Sequence, residues 1–155
     1  MIVSVVICSY NRAAYIGAAL DSLYHQTASK QDFEVIVVDN NSTDGTEQVF
    51  TQWRAANTEG HFYYTTETNQ GASFARNKGA QLAKADWLCF MDDDAAPHPQ
   101  WLKRLAVAYR DPEIGGVGGF TIDNTGVRWQ VRKTLCDRYG NAHNVTAYFD
   151  ERPLN

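Results

Sequence analysis

Short apolar runs alternate with longer stretches of helical periodicity along most of the chain, and this alternation limits the possible fold more than any other feature. The run Ile2-Val-Ser-Val-Val-Ile-Cys8 is β-branched and almost continuously apolar, as a strand covered on both faces should be. Ser9-Tyr10-Asn11 breaks it. Residues 13–25 then place Tyr15, Ile16, Ala19, Leu20 and Leu23 on one stripe at i, i+3, i+4 spacing, which predicts a helix. Phe33-Glu-Val-Ile-Val-Val38 repeats the buried-strand pattern and ends in a polar turn over 39–46. There Asp44-Gly-Thr-Glu47 reads as a capping box before a helix with Val49, Phe50, Trp53 and Ala56 on its apolar face.

A third strand around residues 62–65 leads through Asn69-Gln-Gly71 into a helix expected over 72–83. The fourth strand, Trp87-Leu-Cys-Phe-Met91, reads as buried and runs straight into Asp92-Asp93-Asp94. Pro97 and Pro99 flank the start of a helix whose apolar face is Trp101, Leu102, Leu105 and Ala108. A glycine-rich strand is expected over 115–122 and a half-exposed one over 127–132, while residues 134–155 show little periodicity. Repeated strand–helix units predict an α/β domain with a mainly parallel sheet and helices on both faces. Ligands of such sheets bind outside the carboxyl ends of the strands. Ser9, Tyr10 and Asn11, then Asp39, Asn40 and Asn41, then Asp92, Asp93 and Asp94 all fall there.

Composition removes several functions. The 155 residues carry 14 Lys plus Arg against 18 Asp plus Glu, a net charge of -4, so the basic surface of a nucleic-acid binder is missing. Cys8, Cys89 and Cys136 form no C-x-x-C and indicate neither a disulfide framework nor a cysteine zinc site. No run approaches the length of a membrane span. The expected setting is a reducing, cytoplasmic compartment, at the inner face of a membrane if the chain belongs to a longer protein. Neither G-x-G-x-x-G nor a phosphate loop follows the first strand, so a phosphorylated ligand would need its charge neutralised in another way.

The aspartate triplet offers that way. Adjacent carboxylates raise one another's pKa unless a cation joins them. Hard oxygen donors suit Mg2+ or Mn2+, which bridge to nucleotide phosphates. Three acids in isolation read as a solvated turn capping the next helix; their place after a strand favours a metal and phosphate site. Asp39 is placed to accept from a base N–H or a ribose hydroxyl, with a turn-forming role as the plainer reading. Arg76, near the start of the third helix, faces either the ligand or solvent. The four histidines show no ligand spacing.

Four segments together resemble family-2 glycosyltransferases of the GT-A, Rossmann-like fold: Val3-Ser-Val-Val-Ile-Cys-Ser-Tyr-Asn-Arg12, Val37-Val-Asp-Asn-Asn-Ser-Thr-Asp-Gly-Thr46, Asn69-Gln-Gly-Ala-Ser-Phe-Ala-Arg-Asn-Lys-Gly79 and Phe90-Met-Asp-Asp-Asp94. The resemblance implies inverting transfer of a sugar from a nucleotide diphosphate sugar, a UDP-sugar by default, to an acceptor hydroxyl. It implies that Ser9, Tyr10 and Asn11 line the nucleoside pocket, that Asp39 contacts the base and that Arg76 lies against the nucleotide. Asp92 and Asp93 would face ribose and phosphates, with Asp92 and Asp94 holding a divalent cation, Mn2+ or Mg2+, in the D-x-D role. Residues 1–122 correspond to the donor-binding part, and 123–155 to the start of an incomplete acceptor-side region. The general base expected in that region is not identifiable: Asp123, Asp137, Asp150 and Glu151 lie outside the usual acidic motif. A non-catalytic nucleotide-sugar binding module is the alternative. A nucleotidyltransferase would want a glycine-rich loop after the first strand, and a haloacid-dehalogenase-type phosphatase an aspartate where Ser9 stands.

Overall fold

The structure is a computed structural model that describes residues 2–119, 134–137 and 142–144. It divides into two compact units, Met1–Leu102 and Lys103–Asn155. The first contains β1 (Val3–Ser9), α1 (Ile16–Tyr24), β2 (Phe33–Asp39), α2 (Thr46–Ala56), β3 (His61–Thr66), α3 (Ala72–Leu82) and β4 (Trp87–Asp92). Its sheet has the order β3-β2-β1-β4 with every neighbouring pair parallel. This is the α/β, mainly parallel arrangement expected from the strand–helix alternation, and it agrees with the Rossmann-like fold that the resemblance implies.

Strand alternation sorts the core into two layers. On one face Phe33 of β2 and Phe62 of β3 meet Tyr24 of α1 and Trp53 of α2, with the Trp53 and Phe62 rings 4.9 Å apart. Trp53 also donates its indole N–H to Asp21 Oδ1 at 2.7 Å, tying α2 to α1. On the other face Val6, Ile36 and Val38 pack against Ala75 of α3. Gly79 lets α3 come close: a Cβ there would collide with Val6 and press on Val38 at 3.3 Å. At the amino ends of the strands the buried Glu34 accepts from the Ser4 hydroxyl at 2.6 Å and from the Lys84 N–H at 2.7 Å, which fixes the α3–β4 link.

Several boundaries differ from the sequence expectation for local reasons. α1 begins at Ile16 because residues 12–15 form a turn in which the Arg12 carbonyl accepts from Tyr15 and Ile16. Asp44 is not the N-cap of a capping box; it accepts from the Thr46 N–H at 3.0 Å and, with its other oxygen, from Ala13. Ala56 is exposed, so the α2 stripe is carried by Phe50 and Trp53. β4 is buried on one face alone. α3 covers β1 and β2, and Leu88 and Phe90 of the neighbouring β4 remain exposed.

α4 (Trp101–Ala108) begins in the first unit and continues into the second. The second unit holds β5 (Ile114–Gly118), β6 (Thr134–Asp137) and β7 (Ala142–Asn144) in an antiparallel sheet of order β5-β6-β7. β6 and β7 fall where the sequence shows little periodicity, and the strand expected over 127–132 lies outside the described residues. No helix among those residues is long and apolar enough to cross a membrane.

Two glycines test the packing in opposite directions. Gly79→Ala should destabilise the protein by about 1–3 kcal/mol through overpacking of α3 on β1. Gly17→Ala meets Val49 at an ordinary 3.6 Å and should be neutral or stabilise by up to about 1 kcal/mol. Urea midpoints of the two variants read both effects, and equal midpoints would refute the close approach of α3.

Candidate functional site

The strand order creates a switch point between β1 and β4. The chain leaves β1 for β2 and β3 and then returns to the far side of β1, so the connections at the carboxyl ends of β1 and β4 diverge. Ligands bind at such points. Cys8 pairs with Asp92, which brings Ser9 level with Asp93 and on the same face. Asp93 is buried, with its Oδ1 3.5 Å from the Arg12 Nε. The Ser9 hydroxyl, buried and without a hydrogen-bond partner, lies against the same carboxylate. Burial pushes the Asp93 carboxyl above its ordinary pKa; Ser9 and Arg12 oppose the rise, and Asp94 and Asp92 add to it.

Asp92 and Asp94 are exposed on either side. The turn after them is held from the far end of α1. Gln26, 5% exposed, donates its amide N–H to the His98 carbonyl at 2.9 Å and accepts from the Leu102 N–H at 3.0 Å. Thr27 N–H donates to the Pro99 carbonyl at 2.8 Å. The residues flanking α1, Arg12 before it and Gln26 and Thr27 after it, therefore anchor the acidic turn on both sides.

A second set of bonds joins the β1–α1 and β2–α2 loops. Asn11 has the left-handed φ of 53°, donates its N–H to Ser42 Oγ at 2.8 Å and accepts from the Thr43 N–H at 2.8 Å. Arg12 N–H donates to Thr46 Oγ1 at 3.1 Å, and Ala13 N–H to Asp44 at 3.0 Å. The Thr46 hydroxyl and the Ala13 and Thr46 N–H groups hold the Asp44 carboxyl below its ordinary range. Asp39, 5% exposed, accepts from both the N–H and the hydroxyl of Ser42. Asn40 spends its amide on the 67–71 loop, donating to the Glu67 and Asn69 carbonyls and accepting from the Gly71 N–H at 2.6 Å.

Ser9, Asp39, Asp92, Asp93 and Asp94 thus gather at adjoining strand ends, where the sequence put them. Tyr10 is exposed beside them. Arg76 is exposed on α3 and close enough to Cys8 to favour its thiolate, although burial still pushes the Cys8 thiol up. Asn11 stands at the site, exposed, with its amide oxygen accepting in the loop clasp. Arg12 and Gln26 were not singled out from the sequence. Arg12 had a usable signal, a cation just past a buried strand; Gln26 had none.

Residues 4–152 match the family described as Glycosyl transferase family 2. The chain belongs to glycosyl transferase family 2. It is 36% identical over 146 residues to glycosyltransferase AglE of Haloferax volcanii, covering 92% of this chain and 45% of that protein. It is 37% identical over 113 residues to a validoxylamine A glucosyltransferase of Streptomyces hygroscopicus subsp. jinggangensis, covering 72% of this chain and 26% of that one. The family 2 chain therefore spans less than half the length of these relatives. Among solved structures it resembles the mannosyltransferase PcManGT of Pyrobaculum calidifontis in complex with GDP-Man and Mn2+, with a TM-score of 0.69 and 29% identity over 78% of this chain and 35% of that one. It also resembles S. aureus TarS 1-349 in complex with UDP, with a TM-score of 0.66 and 28% identity over 80% of this chain and 38% of the other.

Among the described residues of the family 2 chain, no three His, Cys, Asp or Glu side chains converge to hold a metal. Asp93 is paired with Arg12, and the His98 ring accepts from the Gln100 N–H. Asp92 and Asp94 are the carboxylates still open to solvent in the triplet. Two hard oxygen donors fit Mg2+ or Mn2+ whose shell is completed by ligand phosphates and water, and do not fit an all-protein cage.

The Asp44 clasp carries a pH signature. A carboxyl held lower in the folded state than in the unfolded state contributes stability above its unfolded pKa of about 3.9 and loses it as pH falls through the folded value. Asp44→Asn should therefore flatten the acid limb of the stability profile below about pH 4. Urea denaturation of both proteins between neutral and acid pH checks this, and identical acid limbs would show that Asp44 contributes nothing through its charge.

Proposed function

We propose that this family 2 chain is the donor-binding part of a glycosyltransferase, taking a nucleotide diphosphate sugar at the carboxyl ends of β1, β2 and β4. The observation that carries the reading is the meeting of Ser9, Asp93 and the exposed Asp92 at the β1–β4 switch point, one strand away from the buried Asp39. Asp39 accepts from the base, Ser9 and the exposed ring of Tyr10 line the nucleoside pocket, and Asp92 and Asp93 face the ribose and phosphates. Arg76 supplies positive charge over the nucleotide, and Asn11 shapes the pocket by fixing the loop around it. Asp92 and Asp94 would hold Mn2+ or Mg2+. When bound, the cation neutralises negative charge on the diphosphate leaving group.

The chemistry is transfer with inversion: the acceptor oxygen bonds to the anomeric carbon, the bond to the diphosphate oxygen breaks, and the acceptor proton passes to a base. Residues 1–122 supply the donor side; 123–155 begin the acceptor side, and no residue of this chain is assigned as the base. The GDP-Man, UDP and UDP-GlcNAc complexes of similar structures support a nucleotide ligand, with UDP-sugars as the default donor. The free thiols of Cys8 and Cys89 support a reducing, cytoplasmic setting.

Calorimetry with UDP and GDP, with and without Mn2+, tests the proposal. Cation-dependent binding is expected, and Asp39→Ala should weaken it by about 1.5–3 kcal/mol by removing a charged hydrogen bond. Equal affinity in excess chelator would overturn the metal role, and absence of binding would overturn the donor site. Binding with no release of sugar from any nucleotide sugar would favour a binding module over an enzyme.

A further inference from the structure

Tyr64 lies outside every segment that points to the nucleotide site, yet its hydroxyl is the second buried side-chain oxygen left without a hydrogen-bond partner among the described residues. Tyr64 pairs with Val37 in the β2–β3 ladder, and Asp39 pairs with Thr66 two positions on. Side chains two apart on a strand share a face, so Tyr64 and Asp39 are diagonal neighbours on adjacent strands. The Tyr64 ring is fixed from beneath by Phe50 of α2, with centroids 5.2 Å apart. Burial and the adjacent Asp39 carboxylate push the phenol well above its ordinary pKa, and Glu47 and Asp44 add to the negative field around it. Tyr64 is therefore a permanent donor whose nearest strong acceptor is Asp39.

Ser42 already donates to Asp39 twice, from its N–H across both oxygens and from its hydroxyl to Oδ1. The Ser42 N–H is one donor shared between the two oxygens at 3.2 and 3.3 Å, so of the roughly four acceptor sites of a carboxylate two are used, and the Tyr64 hydroxyl would leave capacity for one bond toward the strand ends. We propose that Tyr64 is a positioning residue for donor recognition: its hydroxyl donates to Asp39 when a base docks and keeps that carboxylate aimed at a ring N–H. The selected bases are those with a ring N–H on the pairing edge, uracil and guanine. Cytosine and adenine present a ring acceptor there and are repelled. The proposal rests on the reading that Asp39 contacts the base.

A double-mutant cycle on the full chain tests it, with UDP and GDP as probes of the favoured class and CDP as the disfavoured one. Tyr64→Phe keeps the ring on Phe50 and removes a hydroxyl that has no partner in the free protein, so the melting temperature should hold or rise. For whichever of UDP or GDP binds, Tyr64→Phe should weaken affinity about 5–10-fold and narrow the preference over CDP. In an Asp39→Asn background the same change should have no effect. An unchanged dissociation constant for Tyr64→Phe, while Asp39→Asn weakens binding, overturns the role of Tyr64 alone. An equal loss in the Asp39→Asn background shows that Tyr64 does not act through Asp39. If Asp39→Asn leaves affinity unchanged, or if neither UDP nor GDP binds, the base contact itself falls, and the proposal with it.

Discussion

β1 is paired on both edges and covered on both faces, and the rest of the first unit is arranged around that constraint. A strand in this position has no room for an unpaired polar group along its length. Its polar side chains are pushed to the two ends, and each end has become a junction. At the amino end Ser4 and Glu34 bond each other and the backbone of the α3–β4 link. At the carboxyl end Ser9, Asn11 and Arg12 meet the loops that follow β2 and β4. The amino end is closed by its own bonds. The carboxyl end retains the buried Ser9 hydroxyl without a partner and, next to it, exposed carboxylates, which is the state expected of a surface that binds something polar.

The acid triplet is tolerated because each carboxylate is handled differently. Asp93 is buried beside Arg12, whereas Asp92 and Asp94 stay in solvent, where their mutual repulsion is screened. Removal of Arg12 would leave a buried charge uncompensated, a costly arrangement in a low-dielectric site. α1 serves the triplet mechanically as well as electrostatically. Arg12 precedes it, Gln26 and Thr27 follow it, and the helix spaces these anchors along the turn that carries the acids.

Much of this was legible in the sequence because binary pattern and strand ends are local properties. Continuous β-branched runs identified β1 and β2, and acids placed directly after apolar runs marked Asp39 and the triplet. What escaped depends on tertiary neighbours. A run such as Trp87-Leu-Cys-Phe-Met91 looks buried on both faces, but α3 lies over β1 and β2 and leaves Leu88 and Phe90 uncovered. Asp44 resembles a capping residue until Ala13 arrives from another loop to share its carboxylate. The bond that the Asn11 amide oxygen accepts from Thr43, on another loop, has no local sequence signal either. Gln26 and Tyr64 act through residues distant in sequence, so no local pattern could reveal them. β6 and β7 lack the alternation that half-buried strands usually show.

A nucleotide and metal site at the β1–β4 switch point makes a spatial claim that paramagnetic broadening can test directly. With UDP or GDP present, trace Mn2+ should broaden the backbone amide signals of residues 9–12, 39–42 and 92–95. The amides of residues 3–4, 33–34 and 87–88 lie about one strand length away, roughly 20 Å, and should be far less affected. Broadening centred on the amino ends of the strands, or none that depends on nucleotide, would contradict the site.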